Sequence, residues 1–402
     1  MEQWISGWGY QPLSFERFPI QAERETLCVQ FLNNINGNEI KVRFSNRYGK
    51  EKMIFNHAEI FVLDKPEQWA GAVGKQVTIN GKKTITIPAT QEIFSDVLEL
   101  EVRAGQYLCV SVQVEKKQKL LTGGSCFAQP YTGVYVWDGC KRLQECRPGE
   151  SRQARTDLLR IEPEHLSFYG IAGVDIKTKE DVKTIVCFGD SITHRSLWTG
   201  PLMMRLHKQY PGKVILRNSG ISGNRIMYDE SPNTDFGPWL GKAAVKRLEQ
   251  DVFYGNPVDL VTVLLGTNDI FHPLAGFAPK EETAETETME TGLAKLAEQI
   301  HSHGAKTVGC TITPWKNCQG RFAQEPELVR MRVNEWIRSS SCFDYVFDFD
   351  RMIADPKDPQ RMLPLYDSGD HVHPGAAGGA KMAEGIDLSA LGILLGLEAG
   401  QK

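Results

Sequence analysis

The feature that most constrains this chain is a change of hydrophobic period near Asp181. Before it, apolar and polar residues alternate over short runs broken by turn signals. After it, apolar runs of strand length alternate with amphipathic runs of helix length. In residues 39–46, Ile40, Val42 and Phe44 fall on one face and Lys41, Arg43 and Ser45 on the other. Asn36-Gly37 precedes that run, and Asn80-Gly81 separates residues 76–79 from 84–87. Both dipeptides predict tight hairpins, because Asn and Gly accept positive φ. With further alternating runs at 97–102 and 107–114, residues 1–178 predict an antiparallel β-sandwich or jelly-roll domain.

Residues 179–402 predict a second, α/β domain with a parallel sheet and flanking helices. Its strands are expected at 184–188, 214–217, 260–265, 307–312 and 345–349, and helices at 240–250, 289–303 and 326–339. The acidic stretch 281–290 reads as a solvated loop entering a helix N-terminus, where carboxylates oppose the helix dipole favourably.

Length and charge narrow the function. The 402 residues suit two domains, and 41% hydrophobic with 24% charged residues is the balance of a globular protein with real cores. A formal charge of −4 lacks the basic excess that neutralising phosphates requires, so no nucleic-acid partner is expected. No apolar run reaches the roughly 18 residues of a membrane-spanning helix, so no membrane partner is expected either. Nine scattered cysteines without a CxxC pair read as reduced, buried thiols. Met1-Glu2-Gln3-Trp4 carries neither the basic nor the apolar region of a secretory signal. Together these predict a cytoplasmic location.

Ligands of open parallel sheets bind beyond the carboxyl ends of the strands. Beyond the first strand stands Gly189-Asp190-Ser191-Ile192-Thr193, and beyond the second Asn218-Ser219-Gly220-Ile221-Ser222-Gly223-Asn224. Gly266-Thr267-Asn268-Asp269 follows the third, and Asp370-His371-Val372-His373-Pro374 precedes the terminal helix. These parts suit acyl transfer. A serine nucleophile needs a base, and the base needs an acceptor that fixes its tautomer; Asp370 and His373, three apart on one loop, can supply both. The backbone N–H groups of Ser191 and Gly223 and the side-chain amide of Asn268 are candidate donors to a developing oxyanion. Asp367, six residues from His373, is the second choice for the acid, and Asn218 and Asn224 are expected to shape their loop.

The four blocks, in this order, resemble the SGNH (GDSL-type) serine hydrolases. The likeness covers roughly residues 181–395 and implies a flavodoxin-like sheet, the SGNH hydrolase fold. By the resemblance Ser191 is the nucleophile, Asp370 and His373 complete a catalytic triad, and Ser191, Gly223 and Asn268 form the oxyanion hole. The family includes esterases, lipases, thioesterases and carbohydrate acetyl-esterases and generally needs no metal or organic cofactor, so none is expected here. Phe44-Ser45-Asn46-Arg47-Tyr48-Gly49 and Gly170-Ile171-Ala172-Gly173-Val174-Asp175-Ile176 resemble the β-domain that precedes the hydrolase domain in one bacterial branch. Members of that branch often continue the first block with an acidic residue and glycine. Here Thr193 is followed by His194-Arg195-Ser196, a cationic pair that narrows the site or favours anionic substrates, or else points to solvent or to the first domain.

Rival readings are weaker. His371-x-His373 has metal-ligand spacing, but the D-x-H and Asn-His pairs of metallophosphoesterases are missing, and no metal is expected. G-x-S-x-G is absent, which excludes the α/β-hydrolase elbow. The expected activity is hydrolysis of a carboxylic ester through an acyl-enzyme, with acetyl on a small-molecule or carbohydrate alcohol as substrate. The alternatives are a lipase, lysophospholipase or thioesterase on longer chains, and a non-catalytic glycan-binding scaffold. Trp315 and His194 are candidate substrate contacts. Tyr131, Tyr135 and Trp137 read as sugar-stacking faces or as core.

Overall fold

The structure, a computed structural model, describes residues 2–127, 132–160, 164–231, 234–255, 257–318 and 322–397. The chain divides into two compact units: Met1–Val182 with Pro211–Ile215, and Lys183–Tyr210 with Leu216–Lys402.

The first unit is antiparallel and β-rich. One sheet runs Gln3–Gly9, Ile171–Thr178, Gly37–Ser45, Glu92–Phe94, with Leu98–Val102 also paired to Gly37–Ser45. A second runs Thr132–Asp138, Glu25–Leu32, Tyr107–Val114, His57–Leu63, Lys75–Gln76. Trp8 of the first sheet stacks on Phe31 of the second at 4.8 Å, so the two inner faces meet. Every residue of Glu25–Leu32 is buried, whereas Gly37–Ser45 keeps the alternation read from its sequence.

The two Asn-Gly dipeptides behave differently. Asn80 and Gly81 both take positive φ, 52° and 72°, and Ile79 and Lys82 exchange backbone hydrogen bonds across them, as a two-residue turn requires. Asn36-Gly37 makes no such turn, and neither dipeptide joins paired strands: Glu25–Leu32 and Gly37–Ser45 enter different sheets, as do Lys75–Gln76 and Ile85–Ile87. The doubly buried 25–32 strand is held between Tyr107–Val114 and Thr132–Asp138, which leaves it no edge for its chain neighbour. Trp137 lies in a buried cluster with Cys28, Trp69 and Cys109, and Tyr135 stacks on it at 5.7 Å, so both are packing residues; Tyr131 lies outside the described residues.

The second unit carries a parallel sheet of β1 (Lys183–Gly189), β2 (Val214–Gly220, belonging to this unit from Leu216 onward), β3 (Leu260–Leu264), β4 (Lys306–Cys310) and β5 (Tyr345–Phe347). Its spatial order is β2-β1-β3-β4-β5. That is the flavodoxin-like order, with the strand order reversing between β1 and β3. Its helices include α1 (Ser191–His194), α2 (Thr199–Gln209), α3 (Ala244–Leu248), α4 (Thr267–Ala275), α5 (Thr286–Ser302), α6 (Gln324–Ser339), α7 (Ala376–Glu384) and α8 (Leu388–Leu394), with a further short helix at Phe349–Ile353. Acidic residues 281–290 lead into α5, whose first turn holds Glu287; Glu282 pairs with the buried Arg225 at 2.6 Å.

Parallel strands covered on both faces read as continuous apolar runs, and β3 is buried throughout. The register sets Val186 beside Val261 and Phe188 beside Val263. All four join a core with Leu248 of α3, Leu293, Leu296 and Ile300 of α5, and Val333 and Ile337 of α6. Elsewhere in the unit, Arg205 of α2 donates to Ala383 O and Ile386 O beside α7, and Tyr210 donates to Leu388 O of α8. Among the described residues no helix is long and apolar enough to cross a membrane. Leu296, fully buried, is a direct probe of this core: Leu296→Ala is expected to lower the second unit's stability to urea by about 2–5 kcal/mol.

Candidate active site

The site begins where β1 ends. Asp190 leaves the strand in extended conformation and caps α1, its Oδ1 accepting the Ile192 N–H at 3.0 Å. This sets Ser191 at the first position of α1, 8% exposed, with its side chain toward the loop before α7. Ser191 Oγ lies 2.7 Å from His373 Nε2, and His373 Nδ1 lies 2.6 Å from Asp370 Oδ2. Asp370 Oδ1 also accepts the backbone N–H groups of Val372 and His373, at 2.9 and 2.8 Å. Burial pushes the Asp370 carboxyl up, but the bond and charge of His373 and the two N–H groups outweigh it. The carboxyl is held well below the usual carboxylate range.

The second loop is locked to the first. Asn218 donates to Thr193 O at 2.6 Å and Ser196 Oγ at 3.0 Å, while its Oδ1 accepts the Gly220 N–H. Gly220 packs so closely that a Cβ there would stand 2.3 Å from the His194 nitrogen. Three residues on, Gly223 has φ of 76°, and a Cβ would meet Leu240 Cδ2 at 2.3 Å, so the turn needs glycine for both reasons. Asn224 donates to Leu240 O and Lys242 O. From the third strand end, Asn268 at the start of α4 donates to Asn224 O at 3.1 Å, which joins the second and third loops. Asp269 accepts the Ile226 N–H at 3.0 Å.

Ser191, Asp370 and His373 thus form one hydrogen-bonded line, and Gly223 and Asn268 are joined through Asn224. Asp367 does not reach His373. Its Oδ2 lies 2.6 Å from His371 Nδ1, so each histidine of the His371-x-His373 pair turns to its own carboxylate.

The two expected substrate contacts lie elsewhere. His194 is 2% exposed, with Nδ1 2.8 Å from Ser222 Oγ, so it ties α1 to the second loop. Trp315 is 3% exposed within the core cluster, its ring against Phe322. An apolar ring at a strand end gains more from burial than from a wet edge. Arg195 turns neither to solvent nor to open space. Its side chain is 15% exposed and Nη1 stands 3.7 Å from Asp370 Oδ2, so the carboxylate lies between a guanidinium and an imidazole. No motif marked that contact; only the excess charge after Thr193 hinted at it.

Two further carboxyls lie beneath the loops. Burial, opposed by the Ile192 N–H and reinforced by the charge of Asp269, raises Asp190 to about 7. Burial, opposed by the Ile226 N–H and Arg225, raises Asp269 to about 6. A carboxyl whose folded pKa exceeds its unfolded one contributes stability below the unfolded value and loses it as pH rises through the folded value. For Asp190 that window runs from 3.8 to about 7. Asp190→Asn is therefore expected to gain stability relative to the parent between pH 5 and pH 8, by on the order of 2 kcal/mol in urea unfolding at the two pH values. A difference that stays constant, or moves the other way, would refute the buried charge.

Comparison with known proteins gives the chain its place. No curated protein matches it. Over about half its length it is similar to several solved structures. A lipolytic protein of the G-D-S-L family from Desulfitobacterium hafniense DCB-2 is 18% identical, with 50% of this chain and 97% of that chain covered and a TM-score of 0.37. An acetylxylan esterase from Geobacillus stearothermophilus is 19% identical, with 54% and 95% covered and a TM-score of 0.39. A GDSL-like lipase from Bacteroides thetaiotaomicron VPI-5482 is 19% identical, with 52% and 89% covered and a TM-score of 0.36. Residues 187–381 match the model of the GDSL-like Lipase/Acylhydrolase family, a span that holds Ser191, Gly223, Asn268, Asp370 and His373. Residues 187–381 thus form a GDSL-like lipase/acylhydrolase domain, which supports an ester hydrolase.

Proposed function

We propose that the chain hydrolyses esters of short acyl groups, acetyl first among them, on a carbohydrate alcohol, through an acyl-enzyme on Ser191. The observation that carries the mechanism is the unbroken line from Ser191 Oγ through His373 to Asp370, with contacts of 2.7 and 2.6 Å. Ser191 Oγ attacks the carbonyl carbon as His373 Nε2 takes its proton. Asp370 holds Nδ1–H and favours the imidazolium that forms. The carbonyl oxygen becomes an oxyanion facing the N–H groups of Ser191 and Gly223 and the Asn268 amide. Collapse expels the alkoxide, which takes the proton from His373. Water, deprotonated by the same imidazole, then attacks the acyl-enzyme and releases the acid.

Arg195 beside Asp370 has a calculable sense in this scheme. A cation there favours the carboxylate form of Asp370, the form that holds the His373 Nδ1–H.

Crowding supports the short acyl group. Leu240 and His272 fill the space beside Gly223, His272 Cε1 standing 3.3 Å from the position of a Cβ. Hydroxyl and imidazole groups on the site loops, Ser222 and the half-buried His371, suit a hydroxyl-bearing alcohol better than a lipid tail.

The test is hydrolysis of p-nitrophenyl esters from acetyl to dodecanoyl, with chelator present. Activity is expected to peak at acetyl, to fall at least about 10⁴-fold in Ser191→Ala and about 10³–10⁴-fold in Asp370→Asn. A peak at long chains would overturn the short-acyl reading and keep the mechanism. Activity surviving in Ser191→Ala would overturn the mechanism.

A further inference from the structure

Among the groups that the mechanism leaves unused, one buried side chain bonds the chain at two of the strand ends that carry the proposed oxyanion donors and reaches the third through Asn224. Arg247, in α3, is 5% exposed. Its Nη2 donates to the carbonyl of Gly189, two residues before Ser191, at 2.9 Å. Nη1 donates to Ser219 O near the end of β2 at 3.1 Å, and to Asp251 at 3.1 Å. Nε donates to Asn224 Oδ1, beside Gly223, at 2.8 Å. Asn224 O in turn accepts the Asn268 amide at 3.1 Å, and the guanidinium lies over the Phe188 ring at 4.0 Å.

We propose that Arg247 is the positioning residue of the oxyanion hole, fixing the Ser191, Gly223 and Asn268 donors relative to one another. The inference rests on the proposed roles of those three residues. A buried guanidinium carries a desolvation cost that only a full set of partners offsets, and here Asp251 supplies one charge while the other bonds go to loop acceptors. The planar fork of N–H donors holds those acceptors in fixed relation, which the single ammonium of a lysine cannot do. Oxyanion donors act by being aimed before the charge develops, so errors well under 1 Å are felt in the transition state and hardly in substrate binding. Asp251 answers the charge of Arg247 from one side, and Asp190 lies close enough to feel it from the other.

The experiment is steady-state hydrolysis of p-nitrophenyl acetate by Arg247→Lys and Arg247→Ala, with Ser191→Ala in parallel and folding checked by circular dichroism. The expected result is a fall in kcat of about 10–100-fold with KM within about twofold. Methylguanidinium added to Arg247→Ala should restore part of kcat in a saturable way, which a general loss of structure would not allow. Folded Arg247→Lys with kcat within twofold of the parent, or a loss confined to KM, overturns the proposal. Should neither variant fold, Asn224→Ala removes one acceptor and leaves the guanidinium in place: the same kcat loss supports the proposal, and an unchanged kcat overturns it. Activity persisting in Ser191→Ala would instead remove the acyl-enzyme reading itself. Inactive Ser191→Ala beside fully active Arg247→Lys would remove only the role of Arg247.

Discussion

The site depends on the reversal of strand order between the parallel neighbours β1 and β3. The strand order β2-β1-β3-β4-β5 sends the loop after β1 one way and the loop after β3 the other. A crevice is left at their carboxyl ends that backbone cannot fill. The apolar register beneath, Val186 against Val261 and Phe188 against Val263, fixes how far each strand reaches and therefore where Gly189 and Leu264 stop. Asp190 then extends from the sheet, its N–H given to Leu264 O at 3.2 Å, and Ser191 opens a helical turn over the crevice. The chemistry is local, but its geometry comes from the strands beneath.

Polar groups at these strand ends are buried, and their charges are arranged rather than avoided. Asp190 and Asp269 are raised toward neutrality by burial, while Arg225 and Arg247 stand among them. Asp370, by contrast, is 42% exposed and held acidic by its hydrogen bonds. The carboxyl facing the proposed base thus stays charged over the range where the two beneath the loops gain and lose protons. Different environments give one residue type two electrostatic characters within a few residues of Ser191.

Much of this was legible in the sequence, for definite reasons. Period and strand-end composition locate the sheet and its loops, because burial on both faces leaves few choices of residue. They bring out Ser191, Gly223, Asn268, Asp370 and His373 together. What sequence could not show was partnership at a distance. Asn36-Gly37 and Asn80-Gly81 look alike, yet only the second closes a two-residue turn, and in both places the flanking strands enter different sheets. His194 and Arg195 read as one cationic pair, yet one is interior and the other faces Asp370, since successive residues of a helical turn point in different directions. Trp315 follows a strand end as a pocket residue would, and burial claims it. Arg247 lies in an amphipathic stretch with no motif, and its bonds reach residues 23, 28 and 58 positions away.

The loop that presents His373 shows how a surface segment can be made stiff. Asp370 takes two backbone N–H groups on one oxygen and its own histidine on the other. Asp367 repeats the device: Oδ1 accepts the N–H groups of Gly369 and His371, and Oδ2 faces His371 Nδ1. The two turns interleave. Ser368 N–H reaches His373 O at 3.0 Å, and Gly375 N–H reaches Tyr366 O at 2.8 Å, which closes the loop on itself. Inside it His371 sits at φ of 63°, a conformation that costs a non-glycine residue on the order of 1 kcal/mol and persists only when its surroundings over-determine it. The bonds of Asp367 are that determination. A histidine kept in a left-handed turn by its own carboxylate marks a loop with few alternatives, and a loop with few alternatives keeps His373 Nε2 within hydrogen-bond reach of Ser191 before any substrate arrives.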